Sequence, residues 1–308
     1  MTTTAERAAP APVTPGSLLG GLIRLARPKQ WVKNVLVFAA PGAAGVLQHA
    51  DDLAKTLVAF VAFCLAASGT YYLNDAADVE ADRHHPTKRF RPVASGAVPV
   101  QVARIGGVCL VVAGVLLGFA TGSWELPAVV AGYVALTTSY TIWLKHIAVV
   151  DLAAVAAGFV IRAVAGAAAT GVEVSDWFLI VACFGSLFMV AGKRSAELAE
   201  SVGSVSTRAV LAEYSAGFLI QVRTMACAVT TVGYVLWAFE RAKGGGNFPW
   251  YELSILPFVL ALLRYALRLD RGAGGAPEEV VLGDRTLQII GVIWVITFGL
   301  GVYTGSVT

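Results

Sequence analysis

Charge is scarce in this chain of 308 residues. Asp, Glu, Lys and Arg together make up only 14% of it, where a soluble domain carries about a quarter. Hydrophobic residues fill 57%, with a mean hydropathy of +0.71. That balance excludes a water-soluble globule and points to a polytopic membrane protein. Cysteine is scarce as well. Cys64, Cys109, Cys183 and Cys227 lie singly in separate apolar segments and no C-x-x-C occurs, which argues against zinc ligation and a disulfide framework. The four histidines are scattered and offer no obvious general base. The N-terminus, MTTTAERAAPAPVTPGS, lacks an apolar h-region and a cleavage site. Residues 1–16 are therefore expected to be a disordered cytosolic tail and residues 17–308 one transmembrane domain.

Apolar runs recur along the rest. About nine candidate spans can be marked: a weak one over Leu18–Leu47, broken by Pro28 and Pro41, then Leu53–Leu73, Val98–Ala120, Leu126–Leu144, Ile147–Ala169, Trp177–Gly192, Ala216–Phe239, Leu253–Leu269 and Leu287–Tyr303. None has a period of two, so the expected fold is an all-α membrane helical bundle and not a barrel. Of the 23 Lys and Arg, all but Lys55, Arg162, Arg241 and Lys243 fall on the N-terminal side, in the even-numbered loops or at adjoining helix ends. Basic residues collect in cytoplasmic loops, so the N-terminus and the charged loops are expected on the cytosolic side of the plasma membrane.

One of those loops stands out. NDAADVEADRHHPTKRFRPVASG, residues 74 to 96, begins with Asn74, Asp75, Asp78 and Asp82 and continues with Lys88, Arg89 and Arg91. Asn74, Asp78 and Asp82 share one face of a helix, and Asp75 precedes Asp78 by one turn. Successive carboxylates rise by about 6 Å, a reach that brackets one or two magnesium ions and a bridging diphosphate. Asn74 adds a neutral oxygen. The three cations either enforce topology or bind phosphate, and both roles can hold together. His84 and His85 diverge on a helix and read as a polar loop pair. Pro86 and Pro92 keep the stretch from being one continuous helix.

A second cluster, GKRSAELAE, residues 192 to 200, closes the sixth span. Lys193 and Arg194 with Glu197 read either as a phosphate clamp with a supporting ion pair or as a helix-end salt bridge. In YTIWLKHIAVVD, residues 140 to 151, Tyr140, Lys145 and Asp151 are candidate polar lining. Arg162 lies about 16 Å deeper than Asp151 along a helix. It either neutralises a buried anion or pairs with Asp151 or another acid, and Arg223 carries the same two readings. In RLARPKQWVKN, most of the basic and aromatic residues read as an interfacial belt with Trp31 as its anchor, and Lys33 and Asn34 as site residues.

N-D-x-x-D-x-x-x-D after the second span, followed by H-P-T-K-R-F-R-P-x-x-x-G, resembles the UbiA superfamily of intramembrane prenyltransferases, over nearly everything from Ser17 onward. Members of that superfamily usually carry a second aspartate-rich motif at the end of span six, where this chain has Lys193-Arg194-Ser195-Ala196-Glu197. R-P-K-Q-W-V-K-N, N-D-x-x-D-x-E-x-D and G-K-R-x-x-E-L together are similar to the branch that transfers phosphoribose to decaprenyl phosphate. The resemblance implies a Mg2+-dependent transferase with 5-phosphoribosyl diphosphate as donor and decaprenyl phosphate in the bilayer as acceptor, feeding cell-wall arabinan synthesis. It implies that Asn74, Asp75, Asp78 and Asp82 hold the metal, and that Lys88, Arg89, Arg91, Lys145, Lys193 and Arg194 meet phosphates. The alternative is ordinary prenyl transfer from a prenyl diphosphate to an aromatic acceptor. Nothing points to a nucleic-acid partner, and a homo-oligomer is compatible with the pattern.

Overall fold

The computed structural model describes residues 17–201, 209–244, 248–272 and 277–305; the tail expected over 1–16 lies outside them. Among the described residues every regular element is helical. In chain order they are α1 (Leu18–Ala26), a 3-10 segment (Pro28–Phe38), α2 (Ala39–Ala43), α3 (Ala50–Ala77), α4 (Val79–His84), α5 (Val100–Gly118), α6 (Glu125–Ile142), α7 (Val150–Thr170), α8 (Asp176–Ser201), α9 (Ala216–Ala242), α10 (Trp250–Asp270), α11 (Pro277–Leu282) and α12 (Arg285–Gly305). Short 3-10 turns join several of them. Among the described residues six helices are long and apolar enough to cross a membrane: α3, α5, α7, α8, α9 and α12. Helices α6 and α10 occupy the expected fourth and eighth spans.

The weak first span is not one helix. Arg27 adopts the left-handed conformation (φ 51°, ψ 58°) and its N–H closes α1 on the Arg24 carbonyl. Pro28 lacks an N–H and disfavours a right-handed helical residue before it, so the chain restarts there as a 3-10 segment. That segment buries Asn34 and Val37 and lies against α7. The contact exists because Gly166 of α7 has no side chain; a Cβ there would collide with the Val37 carbonyl and the Pro41 ring. Small residues allow this kind of backbone approach between membrane helices.

Phe63, Leu126, Val130, Tyr133 and Ala165 join Val37 in one core cluster between α3, α6 and α7. Outward faces stay apolar, as at Ile105 and Leu116 of α5 and Ile289 and Val292 of α12. In water such faces would be unpartnered, whereas in lipid they are matched to their solvent. Successive long helices alternate in direction. The C-terminal ends of α3, α6, α8 and α10 therefore gather with the N-terminal ends of α7, α9 and α12. Cross-helix bonds from Arg194 to Tyr140 and Asp151 show α6, α7 and α8 meeting there.

Candidate active site

At the end of α3 the helical ladder bends but continues. Asp78 (φ −89°, ψ 6°) ends α3 and starts α4, its N–H donating to Asn74 O at 2.9 Å and its carbonyl accepting from the Asp82 N–H at 2.8 Å. Asn74, Asp78 and Asp82 thus stay near one face. Asp75 is engaged differently. Its buried carboxylate accepts from Arg27 Nη2 at 2.8 Å and Arg91 Nη1 at 3.2 Å, and Arg91 Nη1 also reaches Asp82 Oδ2 at 2.8 Å. Arg27 lies 4.5 Å over the Tyr71 ring. The result is a chain of alternating charge, Arg27–Asp75–Arg91–Asp82. Two guanidiniums occupy Asp75, so Asn74, Asp78 and Asp82 offer the more open oxygens of the motif.

Among the described residues Asn74 and Asp78, both half-buried, have no side-chain hydrogen bond or ion pair, and Asp82 is engaged only through Oδ2. No three carboxylate, histidine or cysteine groups among the described residues converge as a metal cage. The available oxygens of Asn74, Asp78 and Asp82 are hard donors, few in number. That set fits magnesium, which takes one or two protein carboxylates and completes its shell with phosphate oxygens and water.

The basic block divides in the same way. Arg91 is the clamp on Asp75 and Asp82, while half-buried Lys88 and exposed Arg89 make no ion pair among the described residues; Arg89 stacks on Phe90 at 4.9 Å. His85 Nδ1 accepts from the Thr87 and Lys88 N–H groups, and His84 Nδ1 contacts the Glu80 carbonyl, so the two histidines shape this turn.

The second cluster is tighter than the sequence suggests. Arg194 is only 2% exposed, and its guanidinium donates to Asp151 Oδ2 (2.9 Å), Glu197 Oε2 (2.7 Å) and Tyr140 Oη (3.1 Å). Of the two readings of this cluster, the ion pair is present: Arg194 is a buried hub with three of its five N–H groups on protein acceptors. Asp151, fully buried, also accepts from the Tyr214 hydroxyl, which in turn takes the Val149 N–H at 2.7 Å. Burial and the bond to Asp151 push the Tyr214 pKa up, so its hydroxyl stays protonated. Lys193 is more open and lies 3.9 Å from Glu197 Oε1. Lys145 sits half-buried in the Leu144–His146 turn.

Deeper in the bundle, Arg162 does not pair with Asp151, which belongs to Arg194 at the helix end. Arg162 donates to Asn34 Oδ1 (2.9 Å), Gly158 O (2.7 Å) and Tyr133 Oη (2.7 Å) and stacks 4.6 Å from the Tyr133 ring centre. Asn34 Nδ2 also donates to Cys64 Sγ. Lys33 Nζ donates to Gln30 Oε1 at 2.6 Å and lies 3.6 Å from Glu278 Oε1 on α11. Trp31 donates to Ser68 Oγ and so is tied to α3. Arg223 takes the second of its two readings, pairing with Asp270 at 3.4 Å.

Comparison with known proteins places this arrangement. The family model described as the UbiA prenyltransferase family matches residues 35–287. The chain belongs to the UbiA prenyltransferase family. Among its relatives, decaprenyl-phosphate phosphoribosyltransferase of Corynebacterium glutamicum is 46% identical over 295 residues, covering 94% of this chain and 89% of that protein. The protein of the same name from Mycolicibacterium smegmatis is 46% identical over 315 residues, with 97% of each chain covered. A UbiA homolog from Archaeoglobus fulgidus, solved bound to GPP and Mg2+, superposes with a TM-score of 0.69 at 16% identity over 93% of this chain and all of that one.

In this UbiA-family chain an apolar cavity of about 860 Å³ lies between the Pro28–Phe38 segment, α8 and α12, with Val32, Leu36, Phe178, Trp237 and Phe298 on its wall. Four residues of the polar network went unmarked as site residues in the sequence: Arg27, Tyr133, Tyr214 and Glu278. Tyr133 carried a usable signal, since a hydroxyl inside an apolar span needs a partner. Arg27 looked like one more belt residue, and neither Tyr214 nor Glu278 sits in a pattern that sets it apart.

Proposed function

We propose that this chain transfers 5-phosphoribose from 5-phosphoribosyl diphosphate to decaprenyl phosphate, giving decaprenylphosphoryl-5-phosphoribose for cell-wall arabinan synthesis and releasing diphosphate. The observation that carries the reading is the near-full-length similarity to proteins bearing that activity's name. The site's chemistry supports it: free oxygen donors at Asn74, Asp78 and Asp82 beside unpaired cations, with an apolar cavity in the same bundle.

Asn74, Asp78 and Asp82 would hold Mg2+ beside the donor's diphosphate. When bound, the metal neutralises that group and stabilises the charge it gains on leaving. Lys88 and Arg89 stand next to the acids, free to meet donor phosphate oxygens. Arg91, fixed by Asp75 and Asp82, aligns the acid face. A phosphate oxygen of the acceptor attacks the anomeric carbon, the bond from that carbon to the diphosphate oxygen breaks, and the centre inverts. The acceptor is already ionised at neutral pH, so no side chain has to remove a proton. Lys193 and Lys145 supply further positive charge at the same end. The bundle crosses the plasma membrane about nine times, with the N-terminus and the charged end toward the cytoplasm, where a soluble donor can enter. Residues 17–308 act as one domain.

Purified protein in detergent with Mg2+, labelled 5-phosphoribosyl diphosphate and decaprenyl phosphate is expected to move label into a lipid product. Prenyl diphosphates with aromatic acceptors are expected to give none. Prenylation of the aromatic acceptor without phosphoribosyl transfer overturns the reading in favour of ordinary prenyl transfer.

A further inference from the structure

A charge buried in a membrane bundle is costly unless something neutralises it. Arg162 is 7% exposed, and its hydrogen-bond acceptors are an amide, a backbone carbonyl and a phenol, all neutral. Among the described residues no carboxylate lies within ion-pairing reach of it. A second cation stands beside this one. Lys33 precedes Asn34, which accepts from Arg162, and the two charges feel one another. Glu278 is the carboxylate near Lys33, and at 3.6 Å it is well beyond the ~2.7–2.9 Å of a charge-assisted hydrogen bond. The pocket therefore holds more positive than negative charge and already attracts an anionic side chain.

The surroundings decide which anion fits. Val32, Val35 and Leu36, next to Lys33 in the chain, line the apolar cavity, as do Phe159 and Ala163 beside Arg162 on α7. Neither cation is itself on that lining, but Arg162 lies 5.8 Å from the centre of the Phe159 ring, which is, so the cations stand behind the wall of an apolar cavity of about 860 Å³. A phosphate monoester on a long hydrocarbon chain matches both parts, whereas the water-soluble donor has nothing to place in the cavity.

We propose that Lys33 and Arg162 form the subsite for the acceptor's phosphate, and that Glu278 of α11 occupies Lys33 when the subsite is empty and yields it to the phosphate. The proposal rests on the acceptor being a polyprenyl phosphate. It assigns the deep cations to the lipid and leaves Lys88 and Arg89 to the donor.

The test is equilibrium binding of labelled decaprenyl phosphate to the full-length protein in detergent, without Mg2+ or donor. Decaprenol and Mg2+ with 5-phosphoribosyl diphosphate serve as parallel ligands. Lys33→Ala is expected to weaken decaprenyl phosphate binding about tenfold, while decaprenol and donor binding change less than about twofold. Lys33→Arg restores the loss, and Glu278→Gln tightens lipid phosphate binding by removing its competitor. Arg162→Gln weakens it further, and because that variant risks misfolding, the Lys33 and Glu278 variants decide the matter. Loss of donor binding with lipid binding intact in Lys33→Ala overturns the assignment, as does equal loss of decaprenol and decaprenyl phosphate. Failure of phosphoribosyl transfer with this binding pattern intact refutes the proposed reaction and leaves the subsite standing.

Discussion

Asp75 and Asp78 are three residues apart and face different work. Asp75 is 2% exposed and keeps Arg27 and Arg91 from repelling each other, whereas Asp78, one turn further on, has a carboxylate that is unengaged among the described residues. Removing each should therefore fail differently. Asp75→Ala leaves two guanidiniums facing one another and is expected to cost about 1–3 kcal/mol of stability, read as a lower melting temperature in detergent. Asp78→Ala or Asp82→Ala is expected to abolish phosphoribosyl transfer; for Asp78→Ala the melting temperature should barely change. Glu197→Gln should damage transfer less than Asp78→Asn, since Glu197 faces Arg194 and Lys193. Wild-type turnover in Asp78→Ala would remove it from the metal site. In sequence these acids belong to one motif and look equivalent. What separates them is Arg27, 48 residues away from Asp75, and no local pattern encodes that pairing.

At the scale of elements, most of the long helices were legible because their apolar runs are unbroken. The first was not, since Pro28 and the left-handed Arg27 divide it. The turn before α7 hides a different feature. Val149 has φ 68° and ψ −44°, a conformation that a β-branched residue pays about 1–3 kcal/mol to adopt. The Tyr214 hydroxyl on its N–H holds it there. Val149→Gly should relieve the strain and keep or raise the melting temperature, whereas Ile147→Gly, at an extended φ of −109°, should lower it. A drop for Val149→Gly as large as that for Ile147→Gly would deny the strain.

The start of α12 gives a pH-dependent counterpart. Asp284 accepts the Leu287 N–H at 3.0 Å and faces Arg264 and Arg268. The Leu287 N–H first, and the two guanidiniums with it, hold the Asp284 carboxyl below the usual range against the opposing effect of burial. Its folded pKa is thus lower than its unfolded value of about 3.9. The stabilisation is fully present above that value and lost as pH falls through the folded pKa. Wild type should melt above Asp284→Asn by a constant margin from neutral pH down to about 5, and the margin should close in more acid solution. A margin that persists there would assign the stabilisation to packing.

Over the whole molecule, scarcity of charge is what made function readable. In a chain this apolar, any cluster of acids and bases must be tolerated by its position, and most of the Lys and Arg fall in segments that meet at one end. From the distribution of Lys and Arg, that end is expected in the cytoplasm. What composition could not convey is depth: Arg162 and Arg194 are both arginines near helix faces, yet one is bound by neutral groups in the bundle interior and the other by two carboxylates at its end. Orientation has a direct test. With the four native cysteines replaced, Ser95→Cys lies in the loop after α4 and Glu125→Cys at the start of α6, and both positions are exposed. A membrane-impermeant thiol reagent on intact cells should label Glu125→Cys alone, and Ser95→Cys should react only after the membrane is opened. The reverse pattern would put the charged end outside, where a cytosolic sugar diphosphate could not reach it, and would count against the proposed donor as well as the topology.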